Sequence, residues 1–113
     1  MNIENAELLD TINTLKKDKR PFWRAVLKLI EKPRRKRVVV NLEKIEKFVE
    51  EGKTVIVPGK VLGNGTLTKK IVVAAFSYSK KAKQGIENIG GKAISIKQAH
   101  NEIKNFQDVM IIV

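Results

Sequence analysis

Cysteine is absent from this chain of 113 residues. That excludes disulfides, thiolate nucleophiles and cysteine-bound metals together, and it suits a reducing compartment. Aromatic residues are scarce, at 5%. With hydrophobic residues at 42%, a core must be mainly Val, Ile and Leu, and a wholly disordered basic tail is excluded. Long apolar runs are missing too. The longest, residues 71–76, is far too short to span a bilayer. Glu4 and Glu7 stand where a secretory signal needs positive charge, so the expected location is the cytoplasm. His100, the one histidine, has no carboxylate partner at ligand spacing. No nucleophile–base–acid set and no paired carboxylates within a loop are visible. These absences exclude most enzyme classes and leave no site for a metal, a cofactor or a small-molecule substrate.

Acids are also missing from one long stretch. Residues 52–86 contain none, against seven lysines. Residues 16–37 hold eleven Lys or Arg and two acids, while the remaining segments are balanced or slightly acidic. The net charge of +11 is therefore concentrated in two blocks, the electrostatic footprint of a polyanion binder. A membrane binder would gather its lysines on one amphipathic helix with an aromatic apolar face. Here many of them fall in loops and at helix starts, which favours nucleic acid over membrane or acidic protein.

Apolar spacing organises the chain. Residues 2–17 read as a helix through Leu8, Leu9, Ile12 and Leu15, with acids in its first turn and lysines in its last. Pro21 suits the first position of a second helix, residues 21–32, with Phe22, Trp23, Val26, Leu27 and Ile30 on one face. Pro33 ends it. A strand at 38–40 leads through Asn41, a suitable N-cap, into a helix closed by Gly52. Residues 54–57 form a strand stopped by Pro58-Gly59. Residues 71–76 form the strongest strand. Ser79 caps a helix to Asn88, and Gly90-Gly91 stops it. Residues 93–96, 97–104 and 109–113 follow as strand, helix and strand. Strand–helix–strand thus recurs about three times. The expectation is one α/β domain over 1–113, with N-terminal helices in 1–32 and an α/β core in 33–113.

Three segments carry candidate chemistry. Lys32-Pro33-Arg34-Arg35-Lys36-Arg37 places five cations in six residues. They repel one another on a bare surface, and arginine forks are shaped for phosphate oxygens; the plainer alternative is a solvated linker or targeting patch. Lys60 to Lys70 combines Gly63-Asn64-Gly65 with lysines and two threonines. Glycine lets a phosphate approach the backbone, although Asn64-Gly65 is also an ordinary hairpin signal. The segment is no Walker loop. Ser77-Tyr78-Ser79-Lys80-Lys81-Ala82-Lys83 sets three lysines at a helix start, where partial positive charge prefers acids. A phosphate on the free N–H groups would reverse that cost; otherwise the lysines simply extend into water. Trp23 is assigned to the core, and Tyr78 is the better candidate for stacking on a base. Glu43, Glu46 and Glu50 share one helix face and read as a solvated stripe.

These residues resemble a known family. Lys32 to Arg37 followed by Val38-Val39-Val40-Asn41-Leu42-Glu43-Lys44-Ile45 is similar to the archaeal and eukaryotic-type L-eighteen-e large-subunit ribosomal proteins. So is the run from Val57-Pro58-Gly59-Lys60 through Gly63-Asn64-Gly65 to Lys69-Lys70. Ala75 to Lys83, with Ile89-Gly90-Gly91-Lys92, resembles the part this family shares with the bacterial L-fifteen proteins. Residues 100–108 lack the Asn-Pro-x-Gly type loop that the family often has before its last strand. Lysine use over arginine suits an archaeal member. The resemblance implies an irregular repeated β-β-α superhelix and a ribosome-bound, non-catalytic role stabilising large-subunit ribosomal RNA beside neighbouring ribosomal proteins. The basic turn and helix start then map onto Lys60, Gly63, Asn64, Gly65, Lys69, Lys70, Ser79, Lys80, Lys81 and Lys83. Arg20, Arg24, Arg34, Arg35, Lys36, Arg37 and Tyr78 complete the expected RNA-contacting set. RNA offers phosphates and hydroxyls as a shape, so mostly backbone contacts are expected.

Two rivals follow from the residues. One is a free nucleic-acid module, such as a nucleoid protein or RNA chaperone. The other is an enzyme on a phosphorylated substrate using the loop at 59–65, which needs an acid such as Glu43 or Glu87 folded against it.

Overall fold

Val55, Ile56 and Val57 alternate in side, as do Val73, Ala74 and Ala75. In a strand, successive side chains point to opposite faces. Here both faces are buried: Val55, Val57, Val73 and Ala75 enter one apolar cluster, Ile56 and Ala74 the other. A sheet covered on both sides reads as an unbroken apolar run, as parallel sheets do.

A computed structural model describes the backbone of residues 3–31 and 38–113, with side chains from residue 6. Its elements are α1 (Ile3–Lys16), α2 (Pro21–Ile30), β1 (Val38–Asn41), α3 (Leu42–Phe48), β2 (Thr54–Leu62), β3 (Val72–Tyr78), α4 (Lys80–Asn88), β4 (Lys92–Ser95), α5 (Ile96–Glu102) and β5 (Val109–Ile111). The expected α/β class is what forms. All strand pairs are parallel. The order is β1-β2-β3-β4, with β5 also on β2. β3 takes one side of β2. The other side is divided, with β5 along Thr54 to Ile56 and β1 along Gly59 to Leu62.

The connections explain which helix covers which face. β1-α3-β2, β3-α4-β4 and β4-α5-β5 are the three strand–helix–strand units read from the sequence. The β-β-α order implied by the family resemblance occurs as β2-β3-α4. Leu42, Ile45, Ala82 and Ile86 bring α3 and α4 onto one face. Leu8, Leu15, Trp23, Val26, Leu27, Ile30, Ile96 and Ala99 bring α1, α2 and α5 onto the other. Trp23 is fully buried there, in the core as expected.

Pro58-Gly59 does not stop β2 as expected. The strand continues to Leu62 through a register shift between Val57 and Lys60. Proline has no N–H for the ladder, and glycine tolerates the close approach of a neighbour. Gly59 faces Val38 of β1, and a Cβ there would overlap the Val38 carbonyl. The two residues interrupt pairing locally and admit β1.

Asn64-Gly65 makes no hairpin, because β2 and β3 are parallel. Parallel neighbours need a crossover, normally a helix. Here residues 63–71 cross without one, over the α3/α4 face, where Leu67 and Ile71 join the core. An irregular crossover has no internal ladder, so its polar groups must be satisfied elsewhere. The α3 helix supplies several of those partners, through the Glu43 N–H and the Glu46 carboxylate.

Candidate nucleic-acid interface

Three chain segments leave the sheet side by side at the carboxyl ends of its strands. Asn41 pairs with Leu62, and Val61 with Tyr78. The start of α3, the loop at Gly63 and the start of α4 are therefore neighbours. Gly63 is buried against α4: a Cβ would lie 2.7 Å from Lys81 Cβ and 2.9 Å from the Ala82 amide nitrogen. Gly65 has φ +93°, a left-handed value that L side chains resist. A Cβ there would lie 2.8 Å from the Glu43 nitrogen. The Glu43 N–H donates to Asn64 O at 2.9 Å. The loop is thus wedged between two helix starts, and only residues without side chains fit at Gly63 and Gly65.

Ser79 caps α4 as expected, its Oγ accepting from the Ala82 N–H at 3.1 Å. Its own N–H donates to Val61 O at 3.0 Å, tying the cap to β2. Lys80, Lys81 and Lys83 are exposed around this start, and Lys60, Lys70 and Arg24 are exposed as well. Among the described residues, none of these six cations takes part in a salt bridge. Lys70 lies apart, beside Gly90 at the amino end of β3. At the start of α4 the helix dipole and the charges of Lys80, Lys81 and Lys83 add, with no salt-bridged carboxylate among the described residues. The arrangement suits oxyanions.

Other expected contacts have work within the fold. Lys69 is half-buried, and its ammonium donates to Glu46 O at 2.6 Å and Val49 O at 3.1 Å. It neutralises the carbonyl end of α3, a favourable place for a cation. Arg20 grips Asp18, with Nη2 at 2.7 Å from Oδ2 and Nε at 3.1 Å from Oδ1, and lies over the Phe106 ring. Tyr78 packs against the α3/α4 core. Its hydroxyl is 2.8 Å from Val73 O and 2.6 Å from Ile94 O, and burial pushes its pKa above the ordinary phenol range. Tyr78 is a pin between β3 and β4. Arg34, Arg35, Lys36 and Arg37 lie outside the described residues.

Glu46 departs from the solvated stripe. Its carboxylate accepts from the Thr68 N–H at 2.9 Å and the Thr68 hydroxyl at 2.7 Å. Those bonds, the backbone one first, hold its pKa below the usual carboxylate value. His100 is not isolated either. Its Nε2 lies 2.8 Å from Asp18 Oδ2, and its ring meets Trp23 edge-on. Asp18 is held well below the usual carboxylate range, chiefly by the Arg20 guanidinium. Nothing in the local sequence marks these partners, which lie 22 and 82 positions apart. Among the described residues, no three His, Asp or Glu side chains converge as metal ligands.

Residues 25–94, which contain this whole loop-and-helix assembly, match the family described as ribosomal proteins 50S-L15, 50S-L18e and 60S-L27A. The chain belongs to this ribosomal-protein family. Relatives include the large ribosomal subunit protein eL18 of Sulfurisphaera tokodaii, 44% identical over 89% of this chain and 86% of the relative. That of Methanococcus maripaludis is 46% identical over 73% and 68%. That of Archaeoglobus fulgidus is 38% identical over the full length of both. The L15/L18e/L27A family is structural rather than enzymatic, so this chain is a structural constituent of ribosomes. That sets aside the enzyme reading, although Glu43 does reach the loop.

Proposed function

We propose that this protein is a structural constituent of the archaeal large ribosomal subunit that clamps ribosomal RNA by its phosphates at the carboxyl edge of the sheet. One observation supports this reading above the rest. The Gly63-Asn64-Gly65 turn and the Ser79-Lys80-Lys81 helix start, remote in sequence, share one edge where the lysines lack acidic partners. Lys60, Lys80, Lys81 and Lys83 contact phosphate at this edge in this reading, with the exposed Asn64 and Gly65 beside them. Lys70, at the amino end of β3 beside Gly90, and Arg24 of α2 add contacts away from it. Arg34, Arg35, Lys36 and Arg37 join on charge alone. Lys69, Ser79 and Tyr78 act indirectly, by holding loop and helix in place, and Arg20 serves the joint between α1 and α2. Neighbouring large-subunit proteins are the other partners, and the protein works ribosome-bound in the cytoplasm.

The test is the salt dependence of binding to large-subunit RNA. Each neutralised phosphate contributes roughly 0.7–0.9 to the log–log slope. The double variant Lys80→Glu/Lys81→Glu is expected to bind more weakly, with a slope shallower by about 1.4–1.8. An unchanged slope would remove the helix start from the interface.

A further inference from the structure

Beside the lysine edge, α4 and the loop after β2 enclose a groove of about 280 Å³. Gly63, Gly65 and Gly85 are among its lining residues. Leu42 and Leu67 are buried beneath. Three neutral polar residues, Thr66, Gln84 and Asn88, stand exposed at the rim. Lys81 is the one charged residue among the lining residues described. Since α4 runs along the wall, the groove is cationic at the helix start and uncharged towards Asn88.

That gradient matches one ligand chemistry. A nucleotide has an anionic phosphate at one end and a flat, neutral ring with donors and acceptors on its edge at the other. Proteins read single-stranded RNA by splaying out such bases and bonding their edges. Side-chain amides carry both donors and acceptors, and Asn or Gln can meet adenine in bidentate fashion. We infer that this groove holds one unstacked nucleobase of large-subunit RNA, its phosphate at the Lys81 end and its edge against Gln84 and Asn88. The inference rests on the RNA-binding reading above and adds base readout to a surface otherwise expected to recognise phosphates alone. A peptide from a neighbouring protein fits less well, because nothing in the groove offers a row of strand-edge partners.

Chemical probing of large-subunit RNA with dimethyl sulfate and a carbodiimide tests it, since the two reagents cover the Watson–Crick edges of all four bases. The full chain is compared with Gln84→Ala/Asn88→Ala. Both positions are exposed on a helix, where alanine is well tolerated, so folding is preserved. The expected result is at least one unpaired base shielded by the wild-type chain and as reactive as in free RNA when the variant is bound. Affinity falls about 5- to 30-fold with the salt slope unchanged, since no phosphate contact is lost. Identical protections by both proteins, each bound, overturn the inference while leaving the phosphate clamp standing. So does a variant that protects the same bases but loses a neighbouring protein from the assembled subunit. Failure of the wild-type chain to bind the RNA overturns both, a result the Lys80→Glu/Lys81→Glu comparison would already have shown.

Discussion

Glu46 and Asp18 each use one carboxylate to hold segments that the chain alone would leave apart. Glu46 accepts two bonds from Thr68 and so fixes the helix-free crossover between β2 and β3. Asp18 joins Arg20 to His100 of α5 and thereby closes the α1–α2 turn onto the α5 helix. Both acids have pKa values lowered in the folded state. A lowered value means that the stabilisation is complete above the unfolded-state pKa, 3.8 for Asp18, and drains away as pH falls below it towards the folded value. Asp18→Asn is therefore expected to destabilise the protein at neutral pH by about 1–3 kcal/mol, the range for hydrogen bonds to charged groups. The gap from wild type should stay constant down to about pH 4 and then shrink with further acidification. Urea denaturation of both proteins from pH 7 to pH 2.5 measures this. A gap that widens in acid would contradict the assignment. Neither carboxylate was legible as an anchor in the sequence, because spacing along a helix reveals the face a residue occupies but not the loop that folds onto it.

At the level of elements, starts were easier to read than connections. Pro21 and Ser79 open their helices where expected, because each supplies its chemistry locally: a missing N–H at one, a cap oxygen at the other. Ser79→Ala is expected to cost about 1 kcal/mol and lower the melting temperature by roughly 3–6 °C. Calorimetry reads that directly. The same variant should weaken RNA binding only modestly if the cap acts by orienting α4. Pro58-Gly59 misled for an instructive reason. Both residues punctuate strands, yet β1 lies close against Gly59 and makes the break a feature of a longer strand. Gly59→Ala is expected to push β1 off β2 and destabilise by about 1–3 kcal/mol. That would appear as a lower urea midpoint with little change in slope. A variant as stable as wild type would mean that β1 accommodates the methyl group.

For the whole molecule, the charge map and the fold divide the labour. The two cores are uncharged and set the geometry, while Lys80, Lys81 and Lys83 stand at the carboxyl edge with no salt-bridge partner among the described residues. Sucrose-gradient sedimentation of a native lysate in low and then moderate salt is expected to show the protein with the large subunit in both. A peak at the top of the gradient in both would instead favour a free nucleic-acid module. By itself the sequence determined the α/β class, the three strand–helix–strand units, the two basic blocks and the family, because periodicity, caps, charge and motif order are written locally along the chain. Only the tertiary structure decided which cations are free. Lys69 looks the same in sequence as Lys70, whereas Arg20 has its partner Asp18 only two positions away. A lysine becomes structural when a helix end or carboxylate from a distant segment comes within hydrogen-bond reach, and that proximity arises only when the parallel sheet brings those segments together.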